Sequence, residues 1–261
     1  MRKFGLAAVC AALFPLLVSP ASQADEKKWT TIKGTIVLDK DTPVPVMAQI
    51  VPMKDKVVCL ADGKYFDESM IVDPKTRAMT NVFVWIEPEE NARGTPFPQN
   101  LIHPKLAKPE NNVEIDQPCC KFIPHVLAIR EGQKLTIKNS APIPHNAKWS
   151  SIFNGGFNPL IAPKGKHVIE NLVAEKDPAT ISCSIHPEMQ AWVRIFDHPY
   201  FAVTDEKGNF EIKLAPEGKF RMYLWQERGG WNGGRLGAKG TVIEIKGETM
   251  EMKEISYKPA K

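Results

Sequence analysis

The sequence predicts an all-β protein. Short runs rich in Val, Ile, Thr, Phe and Trp alternate with clusters of Gly, Pro, Asp and Asn along most of the chain, which is the pattern of strands and turns. Apolar residues at helical spacing are scarce. The length, 261 residues, leaves room for more than one sandwich-sized unit.

Taken in order, the chain opens with Arg2 and Lys3, an apolar stretch over 6–18 and the small-residue segment Ser22-Gln23-Ala24. This reads as a secretory signal over 1–24, the apolar part being too short to span a bilayer. The expectation is an exported protein, periplasmic or secreted, with no membrane span. Residues 31–38 alternate as a strand and 82–86 form a second, strongly apolar one. Residues 87–112 are a Pro- and Asn-rich connector, expected to be an ordered arm because it carries Leu101, Ile102 and Leu106. Residues 179–182 and 192–196 read as two strands around a loop. Residues 200–212 read as a hairpin turning at Gly208, and 220–225 as a further strand. Residues 229–234 are a glycine-rich turn, and the tail from 250 is expected to alternate briefly and then fray.

The loop between 182 and 192 carries Cys183-Ser184-Ile185-His186-Pro187-Glu188-Met189. A thiolate, an imidazole and a thioether on one tight turn can converge on a single metal, and Pro187 stiffens that turn by fixing φ. One Cu–S bond, two imidazoles and a long axial Met suit copper. The second imidazole is found upstream in Pro144-His145-Asn146. The expected ligands are therefore His145, Cys183, His186 and Met189. Zinc also takes Cys and His, but methionine suits it poorly and no further cysteine lies close in the loop. Multinuclear copper enzymes need many histidines; this chain has six and no His-x-His pair. Serine-hydrolase elbows, phosphate loops and His-Glu-x-x-His are lacking too, so no enzyme activity is expected. Glu188 inside the loop is a carboxylate that either supplements the axial donor or, as exposed loop glutamates do, points to solvent.

These residues resemble the cupredoxins, the blue copper electron-transfer proteins. Cys183-Ser184-x-His186 is similar to the Cys-Ser-Pro-His of plastocyanin, and the full Cys-x2-His-x2-Met loop to that of amicyanin. His145-Asn146 is similar to the plastocyanin His-Asn pair. The runs Phe122-x-Pro124, 128–133 and 135–139 complete the likeness. The resemblance implies a Greek-key β-sandwich with one type 1 copper ion acting as a one-electron carrier for a redox partner protein. It also implies that Asn146 bonds across to Ser184, and that His186 lies near the surface as the exit point for electrons. The flanks, with Gly34 in an opening strand and Thr204-Asp205-x-x-Gly208-x-Phe210 in a later hairpin, resemble the prealbumin-like sandwich of carboxypeptidase regulatory domains. The expected division is a flanking sandwich and connector over 25–111, a cupredoxin unit over 112–197, and the rest of the flanking sandwich over 198–261. One enlarged cupredoxin with extra strands is the competing organisation.

Five cysteines occur. Cys10 falls within the signal. With Cys183 on a metal, an oxidising compartment favours one disulfide among the rest: Cys59 with Cys119 or Cys120, since adjacent cysteines bridge poorly. A net charge of +4, with scattered lysines and no nucleic-acid motif, reads as solvation. His125 is expected to be structural, His103 and His167 to lie at the surface, and His198 to mark the junction between units. The rival to an electron carrier is a non-redox copper-carrying or metal-free module, in which a platform including Trp225 and Trp231 binds a protein or glycan.

Overall fold

In the computed structural model of the protein, which describes residues 28–91 and 93–260, nearly all regular structure is β. The expected leader over 1–24, with Cys10, lies outside the described residues. Among the described residues, no helix is long and apolar enough to cross a membrane.

Two strand systems are present, each with its own core. In the first, strand Trp29–Leu38 lies between Asn209–Pro216, antiparallel to it, and Thr249–Tyr257, parallel to it. A facing sheet carries Phe201–Val203, Phe83–Pro88 and Gly218–Gln226, with Thr241–Ile245 on the far side of the last. Strand Phe83–Pro88 is buried at every position, which accounts for its unbroken apolar run: a strand covered on both faces need not alternate. Ile32, Ile36, Ile86, Phe210 and Leu224 are among the residues filling this core. Strands before the 183–189 loop thus form ladders with strands after it. Gly34 is paired with Phe210, and a Cβ on Gly34 would come within 2.8 Å of that ring. Gly208 turns the hairpin at φ 74°, and its close approach to the Ile36 carbonyl leaves no room for a side chain.

The second system packs a sheet ordered Gly156–Phe157, Lys148–Ser150, Ala179–Ser182, Gln190–Phe196, Val126–Arg130 against one ordered Lys166–Ile169, Leu135–Lys138, Val113–Asp116. Its core includes Ile129, Leu135, Ile137, Trp149, Ile181 and Val193. An aromatic cluster joins the two systems: Phe83, Trp85, Tyr223 and Trp225 from the first meet Val126 and Phe196 from the second. Buried Arg194 stacks over Trp85, its guanidinium carbon 3.6 Å from the ring centroid. Burying each such ring contributes roughly 2–3 kcal/mol, so this junction is a packed interface rather than a linker.

The connector is ordered, as expected: it makes two short 3-10 turns, Gln99–Leu101 and Pro104–Leu106, and seats Ile102, Leu101 and Leu106 on the first core. The tail corrects the expectation of fraying. Thr249–Tyr257 is a full strand, Tyr257 is completely buried, and its hydroxyl donates to the Gly230 carbonyl at 2.6 Å. The order persists beyond it, with Ala260 N donating to Gly229 O.

Candidate metal centre

The loop 183–189 sits at the end of the Ala179–Ser182 and Gln190–Phe196 hairpin. It is closed by its own backbone: Met189 N donates to His186 O at 2.9 Å and Cys183 N to Met189 O at 3.2 Å. This folds the sulfur and the imidazole back over one point. His145 arrives from the short strand His145–Asn146, held by Leu160–Ile161. The Nδ1 atoms of His145 and His186 are 3.1 Å apart, and Cys183 Sγ is 3.9 Å from each. His145, His186 and Met189 have no exposed surface and Cys183 has almost none. Separations of this size suit three donors around one ion at bond lengths of about 2.0–2.3 Å. Burial first, and the neighbouring His186 second, push the His145 pKa down to about 4, so this ring is neutral at ordinary pH and keeps a lone pair for a metal. The donor set fits copper.

Asn146 braces the loop. Its Oδ1 accepts from Ser184 N at 2.8 Å and Ile185 N at 3.3 Å, and lies 3.3 Å from Cys183 Sγ. Its Nδ2 donates to Ser184 Oγ and to Asn158 Oδ1, and its carbonyl accepts from Gln117 Nε2 at 3.3 Å. The side chain thereby ties the strand that brings His145 to the loop that brings Cys183.

His186 departs from what the resemblance implies. It is buried, not at the surface. An excursion of the N-terminal segment covers it: the small ladder Gln49–Ile50 with Tyr65–Phe66, and between them the single turn Lys56–Cys59. Asp55 Oδ2 lies 2.9 Å from His186 Nε2. Cys59 is disulfide-bonded to Cys120, which resolves the two pairings left open by the sequence. Both sulfurs lie within 4.8 Å of a His186 ring nitrogen. Tyr65 Oη donates to the Glu188 carbonyl at 3.0 Å, fastening the cover to the loop. Asp55, Tyr65 and Asn158 carry no mark of this role in the residue pattern. The only signal for Asp55 was its closeness to Cys59, whose disulfide had to bring that stretch near residue 120.

Glu188 also differs from expectation. Its Oε1 is buried without a hydrogen-bond partner instead of facing solvent. The side chain lines a small pocket of about 110 Å³ with Tyr65, Lys121, His125 and Glu227, and it is not among the residues grouped with the metal donors. Cys119 is a free, buried thiol whose pKa burial raises. His125, just ahead of its strand, is engaged by Glu227. His103 caps a 3-10 turn through Lys105 N and is half-buried against Trp29. His167 is likewise half-buried and leans on Phe157. His198 is buried at the junction, against Phe97 and Phe196. Trp225 and Trp231 make no exposed platform: Trp225 packs on Phe83 and Trp192, and Trp231 on Trp85 beneath Arg93.

No family model matches the chain, and no curated protein matches it. Solved structures similar to part of it include a Cu(I) amicyanin variant, 17% identical over 43% of this chain and 97% of that one, with TM-score 0.30. A copper-containing nitrite reductase from Thermus scotoductus SA-01 is 21% identical over 34% of this chain and 23% of that one, TM-score 0.30. A purple cupredoxin from Nitrosopumilus maritimus is 20% identical over 32% of this chain and 99% of that one, TM-score 0.27.

Proposed function

We propose that the protein is an exported type 1 copper protein that carries single electrons between partner proteins. The observation that supports this reading most is the convergence of His145 Nδ1, His186 Nδ1 and Cys183 Sγ at one buried point, with Met189 fully buried in the same core cluster as Cys183. Copper bound there would supply a Cu(II)/Cu(I) couple through a thiolate bond, with Met189 as the weak axial donor that helps set the potential. The chain's part is to hold the donors still. Asn146 fixes the loop amides, the hairpin fixes Cys183, and burial excludes water. A rigid, dry site suits electron transfer because little has to move when the charge changes. The flanking sheets are read as a prealbumin-like sandwich, supported by the Gly34 and Phe210 pairing, with the copper unit inserted over 112–197. Burial of Trp225 in the junction, with Trp231 half-buried against it, favours the electron-carrier reading over a glycan-binding platform.

The test is the visible spectrum of Cu(II)-loaded mature protein. Intense orange-red absorption that Cys183→Ser abolishes and Met189→Leu retains, the latter with a raised potential, is expected. A faint spectrum with ordinary copper hyperfine splitting would overturn the assignment.

A further inference from the structure

We propose that Asp55 is a positioning residue for the copper site, orienting His186 through its outer nitrogen. This rests on the copper reading above.

The local geometry is costly unless it serves this contact. Asp55 is the N-cap of the turn Lys56–Cys59, where an aspartate ordinarily turns its carboxylate onto the helix's own first amides. Here it makes no such cap bond. Its backbone is left-handed, φ 47° and ψ 36°, a region an L-residue enters at some expense. The carboxylate is instead aimed outward from the turn, and Oδ2 meets His186 Nε2 at 2.9 Å. His186 is wholly buried, while the Asp55 side chain is 44% exposed, so the carboxylate closes the solvent side of the ring.

The contact does two things. A carboxylate accepts, so Nε2 carries the proton, and Nδ1, the atom 3.1 Å from His145 Nδ1, presents its lone pair to the metal position. The negative charge also makes the ring a stronger donor, which stabilises Cu(II) more than Cu(I) and lowers the potential. Solvent on the exposed side of Asp55 screens the charge, so the hydrogen bond, more than the field, carries the effect. Two long-range fastenings keep Asp55 in place: the Cys59 to Cys120 disulfide and the Tyr65 bond to the Glu188 carbonyl. The segment that an electron-transfer partner first meets over His186 is therefore this cover and not a bare imidazole edge.

The test compares Asp55→Ala and Asp55→Asn with Asp62→Asn, which neutralises an exposed acid in the same excursion. Loss of a residue that orients a metal-bound histidine typically costs 10–100-fold in affinity. Asp55→Ala should lower the preference for Cu(II) over Cu(I) about tenfold, read as a rise of about 59 mV in potential for one electron. Asp55→Asn, which still accepts a hydrogen bond, should shift less, and Asp62→Asn not at all. A second arm uses metal-free protein: the His186 Nε2–H proton should be observable and protected from exchange by NMR in the wild type and lost in Asp55→Ala. Equal potentials in all variants, or an Nε2–H signal indifferent to Asp55, would overturn the proposal. If the wild type takes up no copper as a coloured species, the copper reading fails, while the metal-free arm still decides whether Asp55 holds His186.

Discussion

Replacing Asn146 with alanine should loosen the loop that carries Cys183 and His186 while leaving the four candidate donors in place, although it also removes the 3.3 Å contact from Oδ1 to Cys183 Sγ. In the wild type Oδ1 accepts from the Ser184 and Ile185 amides, and Nδ2 donates to Ser184 Oγ and Asn158 Oδ1. Asn146 is 5% exposed, so water does not readily replace it. The two amide bonds are each worth about 1 kcal/mol net, and leaving a buried donor unpaired costs about 1–3 kcal/mol. Ser184 is itself exposed and its groups recover solvent, which holds the total near ~3 kcal/mol. With a urea slope of about 3 kcal/mol/M, the metal-free variant should unfold at a midpoint about 1 M lower, with the slope unchanged. Asn146→Asp keeps the acceptor and loses the Nδ2 donor, so it should recover part of that loss. The assay is urea unfolding of both variants beside amide exchange at Ser184 and Ile185. A midpoint shift below about 0.3 M, with those amides as protected as before, would show that Asn146 does not hold the loop and that the backbone closure from Cys183 to Met189 suffices.

Two further outcomes are expected. Cys59→Ala with Cys120→Ala opens a link of sequence separation 61, which by chain entropy is worth about 4 kcal/mol; thermal unfolding should register the loss, and faster amide exchange over 54–60 should localise it, whereas unchanged exchange there would mean that the cover stands without the bond. His198 is buried, and desolvation first, then Arg194 and Arg130, depress its pKa well below the usual value, consistent with its Nδ1 accepting from Tyr200 N. The unfolded chain takes up that proton near pH 6.5 and the folded protein does not, so stability should fall by up to about 1.4 kcal/mol per pH unit below that point; His145 adds a parallel loss in metal-free protein down to about pH 4. Between pH 6.5 and 5, His198→Phe should remove about one proton from the measured slope, and an unchanged slope would mean that His198 is charged in the fold.

The metal loop was legible because its information is local. Cys183, His186 and Met189 lie on one turn between two strands, and residue type and spacing describe such a turn well. His145 was found because its neighbour Asn146 forms part of the same short pattern. The β architecture was legible from turn residues and apolar runs, and the strand at Ala179–Ser182 has the predicted bounds. The cover was not legible. Residues 44–66 have no usable periodicity, and what places them is a set of single contacts across the fold: one disulfide, Tyr65 to Glu188, and Asp55 to His186. Each joins residues far apart in sequence, and none leaves a pattern in its neighbours. The full extent and order of the last strand were less legible for a related reason. Thr249–Tyr257 is an edge strand, half-exposed along most of its length, and its burial is concentrated in Tyr257 at the end, so alternation understates it.

These contacts change the relation between the two strand systems. A unit that carries all four candidate donors would, taken alone, suggest a self-sufficient insert beside a sandwich with a separate task. Here the flanking segment reaches back over the metal loop and contributes Asp55 and Cys59 to its surroundings, while Phe196 at the other end of the same hairpin is locked into the aromatic junction with Trp85 and Phe201. Strand Gln190–Phe196 therefore connects the loop to the junction as one rigid element, hydrogen-bonded on both sides by Ala179–Ser182 and Val126–Arg130. Packed β elements of this kind shift as units rather than deform locally. The cover and the hairpin thus hold the metal loop from two directions, and both trace back to the first strand system. The first strand system therefore positions the site and supplies the surface over His186.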